Sequence, residues 1–328
     1  MSSDCPAISV IIPFHNAEST IEVTARSLAG QTFDNVEYIF VNDGSTDRSV
    51  EVLRDFLALN PGFEKKVKFL SLEYRRGYAE ASRVGMENST GLYIVACDAD
   101  DYVDPTAFEL MYKEAGEGVY DVVIAPYYEH KGKRIKIVVP VRHIDSLNDM
   151  SLNTVHFSLW NKLLRRSLLE EKEILPYPGV DCWGDLGVVS RFMAFKPKVK
   201  VIAAPFYHYI IDPGKKSLSR DRKTRVLEDH LMMALLLEKW FNDNGFATEN
   251  EEFLNHLKFI AKVKFLRGRD KEVKKWKCTF PETNAVIMSL RHIPLYYRVI
   301  FRIVYLLPTK LCQWMADKCD VFYRKRPE

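Results

Sequence analysis

Short apolar runs alternate with stretches of helical period along the first hundred residues. Ile8 to Ile12 is a β-branched run that Pro13 should stop, and Ser19-Thr20-Ile21-Glu22 then offers a capping box ahead of Ile21, Ala25 and Leu28 at helical spacing. Val36 to Val41 forms a second buried run, broken by Asn42-Asp43-Gly44-Ser45, after which Val50, Leu53 and Leu57 mark the inner face of another helix. Val67 to Leu72 and Leu92 to Cys97 supply two more runs, and the segment from Gly77 to Asn88 between them suits a crossover helix. Strand and helix in this alternation predict an α/β fold with a mostly parallel central sheet flanked by helices. After Asp104-Pro105 the pattern gives a helix, strands near Val119 to Tyr128 and Arg134 to Val139, and a mixed segment through Trp160 and Trp183 to Tyr207. Leu186 to Phe195 within it can be a helix.

From Lys223 onward the period is helical, with Leu231, Leu235 and Trp240, then Phe253, Leu257 and Ile260. The polar stretch Gly214 to Arg222 marks a boundary, so the expected organisation is an α/β domain over residues 1–214 and a mainly helical region over 215–328.

Composition adds a contrast between these regions. Of the 328 residues 47% are hydrophobic and 28% charged, enough apolar content for a real core, which excludes a disordered or collagen-like chain. The formal charge of +3 hides an asymmetry: Leu254 to Glu328 carries 17 Lys+Arg against 6 Asp+Glu, and the first 253 residues carry 30 against 38. Six cysteines lie scattered without a C-x-x-C pair, which argues against a disulfide framework or a zinc site. Met1-Ser2-Ser3-Asp4-Cys5 lacks the basic stretch and long apolar run of a secretory signal, so a cytoplasmic location is expected.

Open parallel sheets bind ligands outside the carboxyl ends of their strands. Those ends carry Pro13-Phe14-His15, Asp43-Gly44 and Asp98-Ala99-Asp100. No G-x-G-x-x-G follows the first strand and no G-x-x-x-x-G-K-[ST] occurs, so neither a dinucleotide fold nor a Walker ATPase is supported. Asp98-Ala99-Asp100-Asp101 puts hard oxygen ligands at a strand end, which suits magnesium or manganese held together with a substrate diphosphate. The same cluster equally suits the start of a turn or helix, and spacing alone leaves both open.

The ordered set Ile8-Ser9-Val10-Ile11-Ile12-Pro13-Phe14-His15-Asn16, Val41-Asn42-Asp43-Gly44-Ser45-Thr46-Asp47 and Cys97-Asp98-Ala99-Asp100-Asp101 resembles the family 2 glycosyltransferases of the GT-A fold. The likeness covers about the first hundred and five residues and extends more weakly through Trp160-Asn161-Lys162-Leu163 and Trp183-Gly184-Asp185 to Tyr207-His208-Tyr209. It implies that the Pro13-Phe14 backbone and Asp43 hold a nucleotide base, that Asp98 sits at the ribose, and that Asp100 binds a divalent metal, Mn or Mg. Arg83 would add positive charge, although Ser82-Arg83 stands where the family usually has Arg-Asn. Asp185 matches the second residue of the family's Glu-Asp motif, with Gly184 in place of the Glu, and would be the general base; from its position alone a helix cap is the better reading, and the family register reverses that preference. Trp160 and Trp183, beside Asn161 and Asp185, could stack on acceptor sugars, and His208 matches a diphosphate or metal contact. Lys215, Lys216, Ser217 and Ser219 resemble a loop that closes over the diphosphate.

The implied activity is inverting transfer of a hexose-type sugar from a nucleotide diphosphate, UDP above all, to a hydroxyl of a growing glycan or lipid-linked acceptor in bacterial surface polysaccharide assembly. A nucleotidyltransferase needs a glycine-rich basic loop after the first strand, which Pro13-Phe14-His15-Asn16 does not provide. A sugar-nucleotide-binding scaffold without turnover fits Gly184 and Ser82 but not the retention of Asp100 and Asp185. In the basic tail, Lys262, Lys264, Arg267, Arg269, Lys271, Lys274, Lys275 and Lys277 cluster ahead of an apolar run, Ile293 to Leu307. As a helix it would place Ile293, Tyr297, Ile300, Val304 and Leu307 on one face and Arg291, Arg298 and Arg302 on another. That pattern suits peripheral contact with the anionic inner leaflet of a membrane; the alternatives are packing on protein and, for any basic surface, nucleic acid, which is not expected here.

Overall fold

The computed structural model describes residues 5–140, 144, 146–150, 157–212, 224–266, 272–291 and 293–312. The chain divides into two compact units, one of Met1–Asp149 with Thr154–Arg220 and one of Met150–Asn153 with Asp221–Glu328. The boundary expected at residues 214–222, and Lys215, Lys216, Ser217 and Ser219 with it, lies outside the described residues.

The first unit opens β1 (Ile8–Phe14), α1 (Ile21–Ala29), β2 (Val36–Asp43), α2 (Ser49–Leu59), α3 (Pro61–Glu64), β3 (Val67–Leu72), α4 (Tyr78–Glu87) and β4 (Tyr93–Ala96). It continues β5 (Tyr102–Val103), α5 (Ala107–Glu114), β6 (Val122–Ile124), β7 (Tyr127–Lys131), β8 (Arg134–Val138), β9 (Lys162–Arg165), α6 (Arg166–Glu171), α7 (Gly184–Ala194), β10 (Val199–Val201) and β11 (Tyr207–Ile211). Seven strands form the main sheet in the order β10-β6-β9-β4-β1-β2-β3, parallel throughout except at β9, which runs antiparallel to both β4 and β6. A four-stranded sheet, β5-β11-β7-β8, stands beside it. Every residue of β1 and β2 is buried, as expected of central parallel strands covered on both faces.

Two local expectations fail for physical reasons. Pro13 does not stop β1, which runs on to Phe14. The pairing of β1 with β4 ends at Ile11, whose carbonyl accepts from Cys97 N–H at 2.9 Å. Pro13, two residues on, faces the same side beyond that pairing, where no donor is required of it. The helix α1 also starts one residue later than a cap at Ser19 would place it. Thr20 is the N-cap and makes no side-chain cap bond. The start of α1 is fixed instead by Ala17, whose carbonyl accepts from Thr20 and Ile21 N–H, both at 2.9 Å, while Ser49 Oγ accepts from Ala17 N–H at 2.7 Å.

At the amino end of the sheet, buried Glu37 accepts from Ser9 Oγ, Thr90 N–H and Thr90 Oγ1 and pairs with Lys68 at 2.7 Å. Burial opposes its charge, but Lys68 and these donors outweigh burial and hold the carboxyl below its ordinary range.

The second unit contains α8 (Thr224–Asp243), α9 (Glu251–Val263), α10 (Val273–Cys278), α11 (Glu282–Ala285) and α12 (Leu295–Leu306). Its core gathers Phe259, Val263, Trp276, Ile287, Leu290, Ile293, Phe301 and Val304, with Tyr297, Ile300 and Leu307 packed against it. The face of α12 expected to meet a membrane is therefore taken up by the unit's own core. Of the basic cluster, Arg267, Arg269 and Lys271 lie outside the described residues, and Lys262 is not solvated. Lys262 is fully buried and donates to the Thr279 and Phe280 carbonyls and to Asn284 Oδ1, and buried Lys258 pairs with Glu238 and Glu282. Among the described residues no helix is long and apolar enough to cross a membrane.

Candidate active site

The carboxyl ends of β2 and β4 and the start of α7 supply the acidic groups. At the end of β2, Asp43 is 3% exposed, and its carboxylate accepts from Arg76 N–H at 2.6 Å and Gly77 N–H at 2.9 Å. His15 Nδ1 donates to the Asp43 carbonyl at 2.8 Å, so the chain after β1 is tied to the same point. Pro13 and Phe14 are buried within β1 with Phe14 in register with Asn42, which places their backbone beside Asp43.

Asp43 thus shapes the turn into α4. Gly77 there has φ of +104°, and a Cβ on it would lie 2.4 Å from Asp181 Oδ1, the oxygen that accepts from Ala79 N–H at 3.1 Å. Both the dihedral and the space require glycine. Gly77→Ala should destabilise the first unit by more than about 1 kcal/mol, and by moving the start of α4 it should weaken nucleotide binding. Denaturant titration with a binding measurement checks this; wild-type values for both would show that the turn gives way freely.

From that turn α4 delivers Tyr78, whose hydroxyl donates to Asp98 Oδ1 at 3.1 Å. The residues after β4 divide in function. Asp101 is buried and accepts from Tyr207 Oη at 2.8 Å and Ile210 N–H at 2.7 Å, while Tyr207 Oη accepts from Asp98 N–H at 3.1 Å. Asp101 therefore anchors β11 beneath the turn. Asp98 is half-buried and Asp100 exposed. Burial, with the charges of Asp100 and Asp185 nearby, pushes the Asp98 carboxyl up to about 8.

Asp185 is the second residue of α7, and its Oδ2 accepts from Leu159 N–H at 3.0 Å. Burial raises its carboxyl to about 6, against the opposing effects of that N–H and of the Lys162 ammonium. A base poised there is ionised at neutral pH and still able to take a proton. Just before α7, Trp183 is half-exposed at φ of 69°, a left-handed conformation rare for a bulky residue.

Asp98, Asp100, Asp185 and Tyr78 form one electrostatic cluster. Other residues singled out in the sequence are used differently. Arg83 bonds Glu87 at 2.9 Å along the outer side of α4, which puts its charge on a surface ion pair. Trp160 is 3% exposed and stacks on Tyr207 and Tyr209, with centroids 4.4 and 5.4 Å away, so its ring is packing and not a platform for sugar. Asn161 is 1% exposed, donates to the Ala125 carbonyl and accepts from Lys162 Nζ at 2.7 Å. His208 has both ring nitrogens engaged, Nε2 with Asp104 Oδ1 at 3.0 Å and Nδ1 with His130 Nε2 at 2.8 Å, and lies between Tyr102 and Tyr128. Since Asp104 can only accept, Nε2 carries the proton and the Nδ1 lone pair is used by His130, which leaves His208 no lone pair for a metal.

The donor set at Asp98 and Asp100 suits a divalent cation. It consists of hard carboxylate oxygens, and the Asp100 charge helps raise the proton affinity of Asp98, a cost that a bound cation would remove. Among the described residues no three His, Cys, Asp or Glu side chains form a ready cage. Magnesium-type ions held by one or two carboxylates complete their coordination with substrate phosphates and water, so an incomplete protein site agrees with that chemistry.

A profile of the family described as Glycosyl transferase family 2 matches residues 9–173. EpsH of Bacillus subtilis (strain 168), a candidate glycosyltransferase, is 30% identical over 223 residues, which are 63% of this chain and 62% of EpsH. The match thus spans less than two thirds of that relative. Among solved structures, S. aureus TarS 1–349 superposes with a TM-score of 0.61 at 17% identity, covering 97% of this chain and 91% of TarS, and the same chain has been crystallised with UDP-GlcNAc. The mannosyltransferase PcManGT from Pyrobaculum calidifontis, in complex with GDP-Man and Mn2+, superposes with a TM-score of 0.56 at 14% identity over 98% of this chain and 89% of that one. At such identities the likeness establishes the GT-A fold.

Proposed function

Since the chain belongs to glycosyl transferase family 2, we propose that this glycosyltransferase inverts the anomeric centre as it moves a hexose-type sugar from a nucleotide diphosphate, UDP above all, to a glycan or lipid-linked hydroxyl. The observation that carries the proposal is the cluster itself: exposed Asp100 beside Asp98 at the end of β4, within electrostatic reach of Asp185 at the start of α7. The first group would bind the diphosphate end of a donor and the second would deprotonate an acceptor.

Asp100, with Asp98 beside it at the ribose, would hold the divalent ion, Mn or Mg, which when bound neutralises charge on the departing diphosphate. TarS and PcManGT, by the ligands in their structures, favour the same donor class and Mn2+. Asp185, aimed by Leu159 N–H, accepts the proton of the acceptor hydroxyl as its oxygen bonds to the anomeric carbon. The bond from that carbon to the phosphate oxygen breaks, and its electron pair leaves with the nucleoside diphosphate. Attack from the face opposite the leaving group inverts the configuration. Asp43 contributes through the turn it pins, beside the Pro13-Phe14 backbone, where the base would lie. Trp183, partly exposed next to Asp185, would be the aromatic contact of an acceptor sugar. We assign this chemistry to the first unit and place it in the cytoplasm, in polysaccharide assembly.

Screening nucleotide sugars for metal-dependent hydrolysis tests the donor side without an acceptor. A UDP-hexose should be cleaved fastest, with activity lost to a chelator. Turnover of none of them, with intact folding, would favour the non-catalytic scaffold.

A further inference from the structure

Helix α12 has two apolar faces, and among the described residues one is packed in the core while the other is exposed. Phe301 and Val304 are in the core, with Tyr297 and Ile300 against it. Leu295, Val299, Ile303 and Leu306 recur at i, i+4, i+8 and i+11 on another side and are exposed at 59, 41, 40 and 66%, with Tyr296 beside them at 52%. A surface helix normally turns polar residues to water there. Single exposed apolar residues are ordinary, but five on one helix of 12 residues make a patch that marks contact with something else.

The charge around the stripe indicates what that is. Leu290 to Cys312 contains Arg291, Arg298, Arg302 and Lys310 and no Asp or Glu. By helical angle Arg298 and Arg302 border the stripe on one side. Their guanidiniums donate to the Met288 and Asn284 carbonyls, which fixes the side chains and leaves their charge in place. A second copy would bring an equally basic helix against this one. Each bond to those carbonyls uses one of a guanidinium's five N–H groups, so both border cations keep donors for a phosphate. Anionic lipid headgroups need only charge, and the acyl boundary takes the aliphatic residues. The helix is about 18 Å long at 1.5 Å per residue, too short for a core of about 30 Å, so it would lie in the plane of the interface.

We infer that the Leu295-Val299-Ile303-Leu306 stripe of α12 seats the protein on an anionic phospholipid surface. The full chain should float with vesicles of phosphatidylcholine containing about a third phosphatidylglycerol, not with phosphatidylcholine alone, and should detach as salt rises. Val299→Ser/Ile303→Ser/Leu306→Ser alters exposed positions only; it should keep the circular dichroism and donor hydrolysis of the wild type and lose vesicle binding by roughly tenfold or more. Arg291→Gln/Lys310→Gln, also exposed, should weaken binding to anionic vesicles while leaving the stripe intact. The inference is overturned if the wild type does not float with anionic vesicles or if the triple variant floats as well as the wild type. A concentration-dependent dimer that the triple variant abolishes would assign the stripe to a second copy instead.

Discussion

Asp100→Ala should reduce metal-dependent turnover of the nucleotide sugar to the level of the enzyme treated with chelator, while the protein stays folded. The expectation combines chemistry with position. Asp100 is the exposed member of its cluster, whereas Asp101 next to it is buried and bonded to Tyr207 and Ile210. Removing Asp100 takes away a ligand from the exposed side of the turn. Removing Asp101 should do the reverse, since the Tyr207 hydroxyl and the Ile210 N–H would lose their acceptor at about 1–3 kcal/mol. Thermal unfolding and metal-dependent hydrolysis of Asp100→Ala and Asp101→Ala, measured together, separate the two roles. Wild-type rates that ignore chelator would remove the basis of the assignment.

Asp185→Asn should lower transfer by about 10²-fold or more with donor affinity nearly unchanged. The amide keeps the acceptor for Leu159 N–H and the size of the side chain, but it cannot take a proton. The active form is the ionised carboxylate, so wild-type transfer should rise with pH through about 6, where burial places this group. The acid limb should vanish in the variant. Near-normal transfer by Asp185→Asn, or an unshifted acid limb, would move the base to another residue.

The strands β1, β2 and β4 are legible in the sequence because each is a mostly apolar run of four to eight residues, buried along its whole length. β9 is not, since Lys162–Arg165 is four residues long with a cation at each end. The acidic groups were found because their signal is local: an aspartate motif directly after a strand, and a carboxylate in the first turn of a helix. Tyr78, Asp181 and Tyr207 carry no such signal. Their partners Asp98, Ala79 and Asp101 lie 20, 102 and 106 residues away, and only folding brings them together.

Arg83, Trp160, Asn161 and His208 have side chains of the right chemistry, but their direction is decided by neighbours the sequence does not place: Glu87, Tyr207, Ala125 and Asp104. In α12 the period of the apolar residues is real on two faces. Composition along the helix could not say that the one through Tyr297, Ile300 and Val304 belongs to the core.

The central claim is that Asp100 holds a nucleotide diphosphate through a divalent ion, and calorimetric titration of UDP tests it directly. Wild-type protein should bind UDP in the presence of Mn2+ and bind it much more weakly with chelator, and Asp100→Ala should show the weak binding under both conditions. Equal UDP affinity of the wild type with and without the metal, or metal-dependent binding that survives in Asp100→Ala, would contradict it.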